Sequence, residues 1–261
     1  MDGVNKTLYI PLYSKAQISK KGIILSDKTA EKIWDAEQFP LHGQQKSKWL
    51  AYNMAMRARI FDDWTDSLLK NNPDALVLHI GCGLDSRCKR VKELYHNWND
   101  CDFPEVIEVR KRYYDETGNY HMRVLNASDS KLVKSLPEAD EAIIVFEGIS
   151  MYIKREDLRE FFRVLNAKYK KVHVLMDVYT EFGIRASKYK NPVNSLGVTN
   201  LYGIDNIEDV LTGTSIRLKE EHTFTPKRLV DELAPADRFF FKMLFTGRIY
   251  RKIYRLFELE K

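Results

Sequence analysis

Between residues 75 and 178 the chain alternates strand-length runs with stretches of helical spacing, and this alternation constrains the fold more than any other feature. Ala75–Ile80, Asn97–Cys101, His121–Leu125, Glu141–Phe146 and Lys171–Val178 have the length of strands, whereas Asp85–Tyr95, Pro104–Thr117 and Arg155–Lys168 read as helices. Strands apolar on both faces need cover on both, which a parallel sheet flanked by helices provides. The pattern therefore predicts a Rossmann-like α/β fold with a mostly parallel central sheet. Thr214–Glu221 and Arg238–Phe245 are expected to add a closing pair of strands.

Residues 1–70 read as a small helical cap or lid before an α/β domain spanning 71–261. Ser26 or Asp27 can cap a helix by accepting its free amides. Trp49 to Leu69 carries Leu50, Met54, Ile60, Trp64 and Leu68 near one face, as a long amphipathic helix would, until Pro73 breaks the pattern. The net charge of +5 is dispersed, so no nucleic acid is expected as a partner. Leu76–Ile80 and Ala142–Phe146 fall far short of the about 20 apolar residues that span a bilayer. Met1–Ser14 has no signal-peptide pattern, and three cysteines cannot all pair, so a reducing cytoplasm is expected. Cys82, Cys88, Cys101 and His96 show no CxxC or HxxxH pair, and no metal site is expected.

Ligands of such sheets sit at the carboxyl ends of the strands. Gly81-Cys82-Gly83 follows the first strand, and glycines there let the backbone turn and approach a ligand, with amides of the next helix beyond. Asp102 ends the next strand 19 residues after Gly83, a spacing that suits a carboxylate on the ribose hydroxyls of an adenosine ligand, or else a cap for the helix that follows. Glu147-Gly148 ends another apolar strand, where an ionisable group must face solvent or a cation.

These residues match a family. Leu78-His79-Ile80-Gly81-Cys82-Gly83-Leu84-Asp85-Ser86-Arg87 resembles the glycine-rich motif of the leucine carboxyl methyltransferase and polyketide O-methyltransferase family, class I enzymes dependent on S-adenosylmethionine. Cys101-Asp102-Phe103-Pro104 and Phe146-Glu147-Gly148-Ile149-Ser150-Met151-Tyr152-Ile153 resemble its next motifs. Arg57-Ala58-Arg59-Ile60-Phe61-Asp62-Asp63 resembles its Arg-x-Arg helix, and Tyr202–Asn206 and Ile216–Glu221 are similar to segments of polyketide-type members. In order, the matches run from about residue 26 to 222, and together they are specific.

The resemblance implies S-adenosylmethionine as cofactor, with Gly81, Cys82 and Gly83 against its methionine part and Asp102 on its ribose. Glu147 would face the methionyl amino group, and Arg59 the cofactor carboxylate or the substrate. Asn126 and Ala127 stand where the family has Asp-Leu-Arg-Asp near adenine, here Asn126-Ala127-Ser128-Asp129. Phe103 and Gly148 complete the implied cofactor set, and Tyr152 would border the pocket of a small-molecule or polyketide-like acceptor. Methyl transfer to a carboxylate needs no general base, whereas a phenol or alcohol does. His79, His121, His173 and His222 are the candidates; His79 reads as a core residue, and none is assigned.

Two other readings stand beside this one. A nicotinamide oxidoreductase would need a third glycine where Ser86 stands. A cofactor-binding relic acting as an interaction protein is the non-enzymatic alternative, given the altered stretch at Asn126. The tail Lys242–Lys261 alternates Arg248, Arg251, Lys252 and Arg255 with Ile249, Tyr250, Ile253, Tyr254 and Phe257. It reads as a basic amphipathic helix, of a kind that can touch an anionic membrane or nucleic acid but more often docks its apolar face on the domain with its charges solvated.

Overall fold

The computed structural model describes residues 6–187 and 200–261. Seven strands form one sheet: β1 (Leu76–Ile80), β2 (Asn97–Asp102), β3 (Tyr120–Val124), β4 (Glu141–Phe146), β5 (Lys171–Tyr179), β6 (Arg217–His222) and β7 (Tyr254–Glu260). Their order is β3-β2-β1-β4-β5-β7-β6. Strands β1 to β5 run parallel, and β7 lies antiparallel between β5 and β6. The Rossmann-like architecture read from the alternation is the one found.

Register explains why distant motifs meet. Ile80 pairs with Cys101 on one side and Phe146 on the other, so Gly81, Asp102 and Glu147 emerge side by side at one sheet edge. Asp102 pairs with Val124, which brings Leu125 and Asn126 to the same edge. Strand order reverses between β1 and β4, and this is where a crevice opens in a doubly wound sheet.

Side chains alternate between two cores, as the period of a strand requires. Val77, Ile143 and Val145 face the N-terminal helices α1 (Tyr9–Lys21), α2 (Lys28–Glu37) and α3 (Lys48–Leu69), meeting Ala16, Ala55, Ala58 and Phe61 in one continuous core. Leu78, Ile80, Ile144 and Phe146 face the other way, against Leu158, Phe161 and Phe162 of the helix Arg155–Lys168. Asp27 caps α2 by accepting the Ala30 amide at 2.8 Å. All three cysteines are buried thiols without a disulfide. No helix among the described residues is long and apolar enough to cross a membrane.

Several element expectations need correction. The helix read over Asp85–Tyr95 is confined to Arg87–Arg90, because the Lys92 and Glu93 amides donate to Asp66 instead of to helix carbonyls. The helix after Pro104 stops at Arg110, and the Thr117 hydroxyl then accepts the Asn119 and Tyr120 amides in a turn. Arg238–Phe245 belongs to a helix, Pro235–Phe245, started by a proline in its first turn. Of the expected basic helix over the tail, Lys242–Phe245 ends the helix Pro235–Phe245 and Arg248–Arg251 forms a separate turn of helix; Tyr254–Glu260 is β7. Tertiary pairing decides here, since β7 is hydrogen-bonded on both sides and buries Leu256, Phe257 and Leu259 completely.

An internal strand packed on both faces should be intolerant of truncation. Phe257→Ala is expected to lower unfolding stability by about 3–5 kcal/mol, measured by urea titration. A loss below about 1 kcal/mol would mean that β7 is not a core strand.

Candidate active site

A cavity of about 310 Å³ opens at the carboxyl edge of β1, β2 and β4, under the N-terminal helices. That volume lies within the range of cofactor and small-ligand sites. Its wall includes Gly81, Cys82, Gly83, Asp102, Phe103, Asn126, Ala127, Glu147, Gly148 and Tyr152, nearly the whole set expected from sequence. Leu8, Leu50, Met54, Ile149 and Leu201 make other parts of the wall apolar.

The glycine turn is tight for a visible reason. Gly81 has a φ of 67°, and a Cβ there would stand 2.4 Å from Ile149 Cγ2. Gly148, at φ 72°, leaves room for the Arg57 guanidinium, 3.0 Å from where its Cβ would be. Beyond the turn, the expected helix amides are not presented: the helix is short, and the Arg87 amide donates to Asp85 at 2.7 Å.

Asp102 is held by backbone donors, Gly83 N and Phe103 N, both at 2.7 Å. Burial dominates nonetheless and pushes its carboxyl up to about 6. Asn126 accepts the Ser128 amide at 2.9 Å, which fixes its carboxamide at the cavity wall.

Glu147 is clamped between two guanidiniums, Arg57 Nε at 2.9 Å and Arg87 Nη2 at 2.5 Å. Burial pushes Glu147 up, but Arg87 and Arg57 outweigh it and hold the group below the usual carboxylate range. Arg57 also donates to Asp177 at 2.9 Å and to the Tyr254 hydroxyl at 2.7 Å. The Tyr254 hydroxyl in turn donates to Asp177, and Gly148 N donates to the other carboxylate oxygen at 2.6 Å. On the far side, Lys15 from α1 pairs with Asp85.

Arg59 is the misplaced expectation. It is half-buried, donates to Asp63 at 2.8 Å and to the Ile24 carbonyl at 2.9 Å, and does not line the cavity. Residues two apart on a helix point roughly 200° away from each other. Arg57 falls on the same stripe as Leu50, Met54, Trp64 and Leu68, so the apolar periodicity of α3 carried the signal that the motif alone did not. Lys15, Asp177, Tyr179 and Tyr254 were also missed, because no local pattern links them to the strand ends.

His79 also lines the cavity, with both ring nitrogens engaged, Nδ1 3.2 Å from Asp100 and Nε2 3.2 Å from an Arg87 nitrogen. Its pKa is lowered by burial. It is the core histidine that its place in β1 suggested.

Residues 11–166 match the model of the leucine carboxyl methyltransferase family. The chain belongs to that family. Among curated relatives, the tetracenomycin polyketide synthesis O-methyltransferase TcmP of Streptomyces glaucescens is 28% identical over 244 residues, covering 91% of this chain and 89% of the relative. The S-adenosyl-L-methionine-dependent methyltransferase dpfgK of Gibberella zeae is 25% identical, covering 62% of this chain and 60% of its own. Among solved structures, a SAM-dependent methyltransferase from Anabaena variabilis superposes with TM-score 0.54 at 13% identity, covering 89% of this chain and 93% of the other. That likeness bears on the fold. For this methyltransferase the cavity fits S-adenosylmethionine: it has a carboxylate at the β2 end, a glycine turn with no space for a side chain, and Lys15 and Arg57 as cations near the strand ends.

Affinity for S-adenosylhomocysteine, measured by calorimetry, should rise from about pH 5 to a plateau above about pH 7 as Asp102 ionises, and Asp102→Ala should lose both binding and the pH dependence. The same raised pKa means that ionised Asp102 costs the unliganded fold stability, a cost absent below about pH 4 and complete once pH passes about 6. Arg57→Ala should cost about 3–5 kcal/mol of stability by leaving Glu147 and Asp177 short of a cation. Arg59→Ala should cost less than about 1 kcal/mol and leave cofactor affinity unchanged; a large affinity loss would return Arg59 to the site.

Proposed function

We propose that this protein is an O-methyltransferase acting on a carboxylate of a small, largely apolar acceptor, with residues 1–70 as a cap over the cofactor. The observation that carries the reading is a cavity whose ligand-facing wall is polar at the strand ends and apolar toward Leu8, Leu50, Met54 and Leu201, with its histidine, His79, held by Asp100 and Arg87. When bound, S-adenosylmethionine supplies a sulfonium methyl that is already activated for attack by a nucleophile.

In this assignment Asp102 accepts hydrogen bonds from the ribose hydroxyls, Phe103 and Ala127 flank the adenine, and Asn126 offers it an amide. Gly81, Cys82 and Gly83 allow close approach of the methionine part. Lys15 and Arg57 supply positive charge for its carboxylate, and Glu147 and Gly148 face its amino group. Tyr152, half-buried at the cavity wall with its pKa raised to about 12 by desolvation, stays a neutral hydroxyl and borders the acceptor. Cys82 is likewise kept protonated by burial, so it adds no nucleophile.

A carboxylate is favoured over a phenol because His79 is tied to Asp100 and Arg87 and is poorly placed to take a proton. Neutralising charge between carboxylate and sulfonium is helped by a cavity that strips water from both. The chain's part is then to hold oxygen and methyl in line. The relatives support oxygen as the atom methylated, since TcmP is named an O-methyltransferase.

The test is a panel of aromatic and aliphatic carboxylic acids beside matched phenols, with product mass followed by mass spectrometry. Base-labile methyl esters are expected, with a rate independent of pH once the acceptor acid and Asp102 are ionised. Products that are only base-stable methyl ethers, formed faster as pH rises, would assign the chemistry to phenols.

A further inference from the structure

The helix Pro235–Phe245 buries Phe241 completely, against Tyr52 and Phe245. Its opposite side is unusual. Phe239, Phe240, Met243 and Leu244 are 66%, 47%, 64% and 54% exposed. At 100° per residue, these four with Ala236 form an uninterrupted apolar arc of roughly 140°. Scattered exposed apolar residues are ordinary, but a contiguous face of two phenylalanines, a methionine and a leucine marks a contact surface.

The charges around the arc are mainly positive. Lys242 and Arg238 lie 3.5 and 3.9 Å from Asp231, which also pairs with Lys227. On the other flank Lys48 pairs with Asp237 at 2.7 Å, and Lys21 sits 5.2 Å from the centre of the Tyr52 ring whose hydroxyl bonds the same Asp237. Lys21, Lys48, Lys227 and Lys242 thus lie on the flanks of the arc against Asp231 and Asp237. A second copy docked through a two-fold axis would set these cations against themselves. An anionic lipid surface meets both features at once, taking the arc into its headgroup layer and the cations onto its phosphates.

We propose that the helix Pro235–Phe245 is a membrane-docking element for anionic bilayers. The helix packs through Tyr52 against α3, on the side of α3 turned away from the cavity-lining Leu50 and Met54, so docking would leave the cavity wall free. This does not depend on which oxygen the enzyme methylates.

The experiment is flotation of the full chain with vesicles of phosphatidylcholine alone or of equal parts phosphatidylcholine and phosphatidylglycerol. Binding is expected only to the anionic vesicles, weakening as salt is raised. Phe239→Ser/Met243→Ser should reduce that binding at least tenfold, and Lys21→Glu/Lys242→Glu should remove its dependence on anionic lipid. Thermal unfolding and S-adenosylhomocysteine affinity of the Phe239→Ser/Met243→Ser protein should match the parent, which separates lost docking from lost folding. Absence of binding to anionic vesicles, or equal binding by the serine variant, would overturn the proposal. So would a concentration-dependent dimer in sedimentation that the serine variant dissolves, since the face would then belong to a second copy.

Discussion

The pairing of Arg57 with Glu147 and Asp177 is the constraint on which the rest of the site depends. It joins the N-terminal helix α3 to the ends of β4 and β5 through one guanidinium, with Tyr254 of β7 completing the contact. Around it the ion pairs continue inward. Arg87 binds Asp62 and Glu147, Arg90 binds Asp62, Asp27 and Asp85, and Arg110 binds Asp100 and the Gly83 carbonyl. Such buried pairs recover little more than the cost of desolvating them. What they supply is geometry, because removing any one partner strands a charge in a dry interior. The glycine turn is thus fixed from below by Arg110 and from the side by Asp102.

That arrangement divides labour among the carboxylates. Asp100 is saturated by Arg110, Tyr120, Trp98 and His79, and despite burial it is held down to about 2. Asp102, two residues on and at the end of the strand, has only backbone amides, and burial pushes it up. Two acids on one face of the same strand therefore differ in use: Asp100 is spent on internal pairing, whereas Asp102 at the strand end stands at the cavity wall. Glu147, clamped by two cations, stays ionised and negative at the cavity wall.

Much of this could be read in advance, and the exceptions have causes. The strands β1 to β5 announced themselves by length and apolarity, and Gly81, Asp102 and Glu147 by ending them. Asn126 and Tyr152 came from a family resemblance. Arg59 was chosen over Arg57 because a motif names residue types without naming the buried face; the spacing from Leu50 and Met54 distinguishes them. Asp177 and Tyr254 meet Arg57 only through sheet pairing, which no local window contains. The tail was misread for a related reason: basic residues at near-helical spacing also suit a strand whose Arg255 lies over the Phe257 ring and pairs with Glu221.

The placement of β7 carries a consequence for biogenesis. Synthesis delivers Tyr254–Glu260 after every other strand, yet that segment belongs in the interior of the sheet, not at its rim. Until it pairs, β5 has an open apolar flank from Val172 to Val178 and β6 has no neighbour. A nascent chain in that condition offers an unpaired edge to any other unfinished copy, a known route to misassembly. Completion of the sheet, closure of the Arg57 cluster through Tyr254 and shielding of that flank therefore come together as a single event, once β7 pairs.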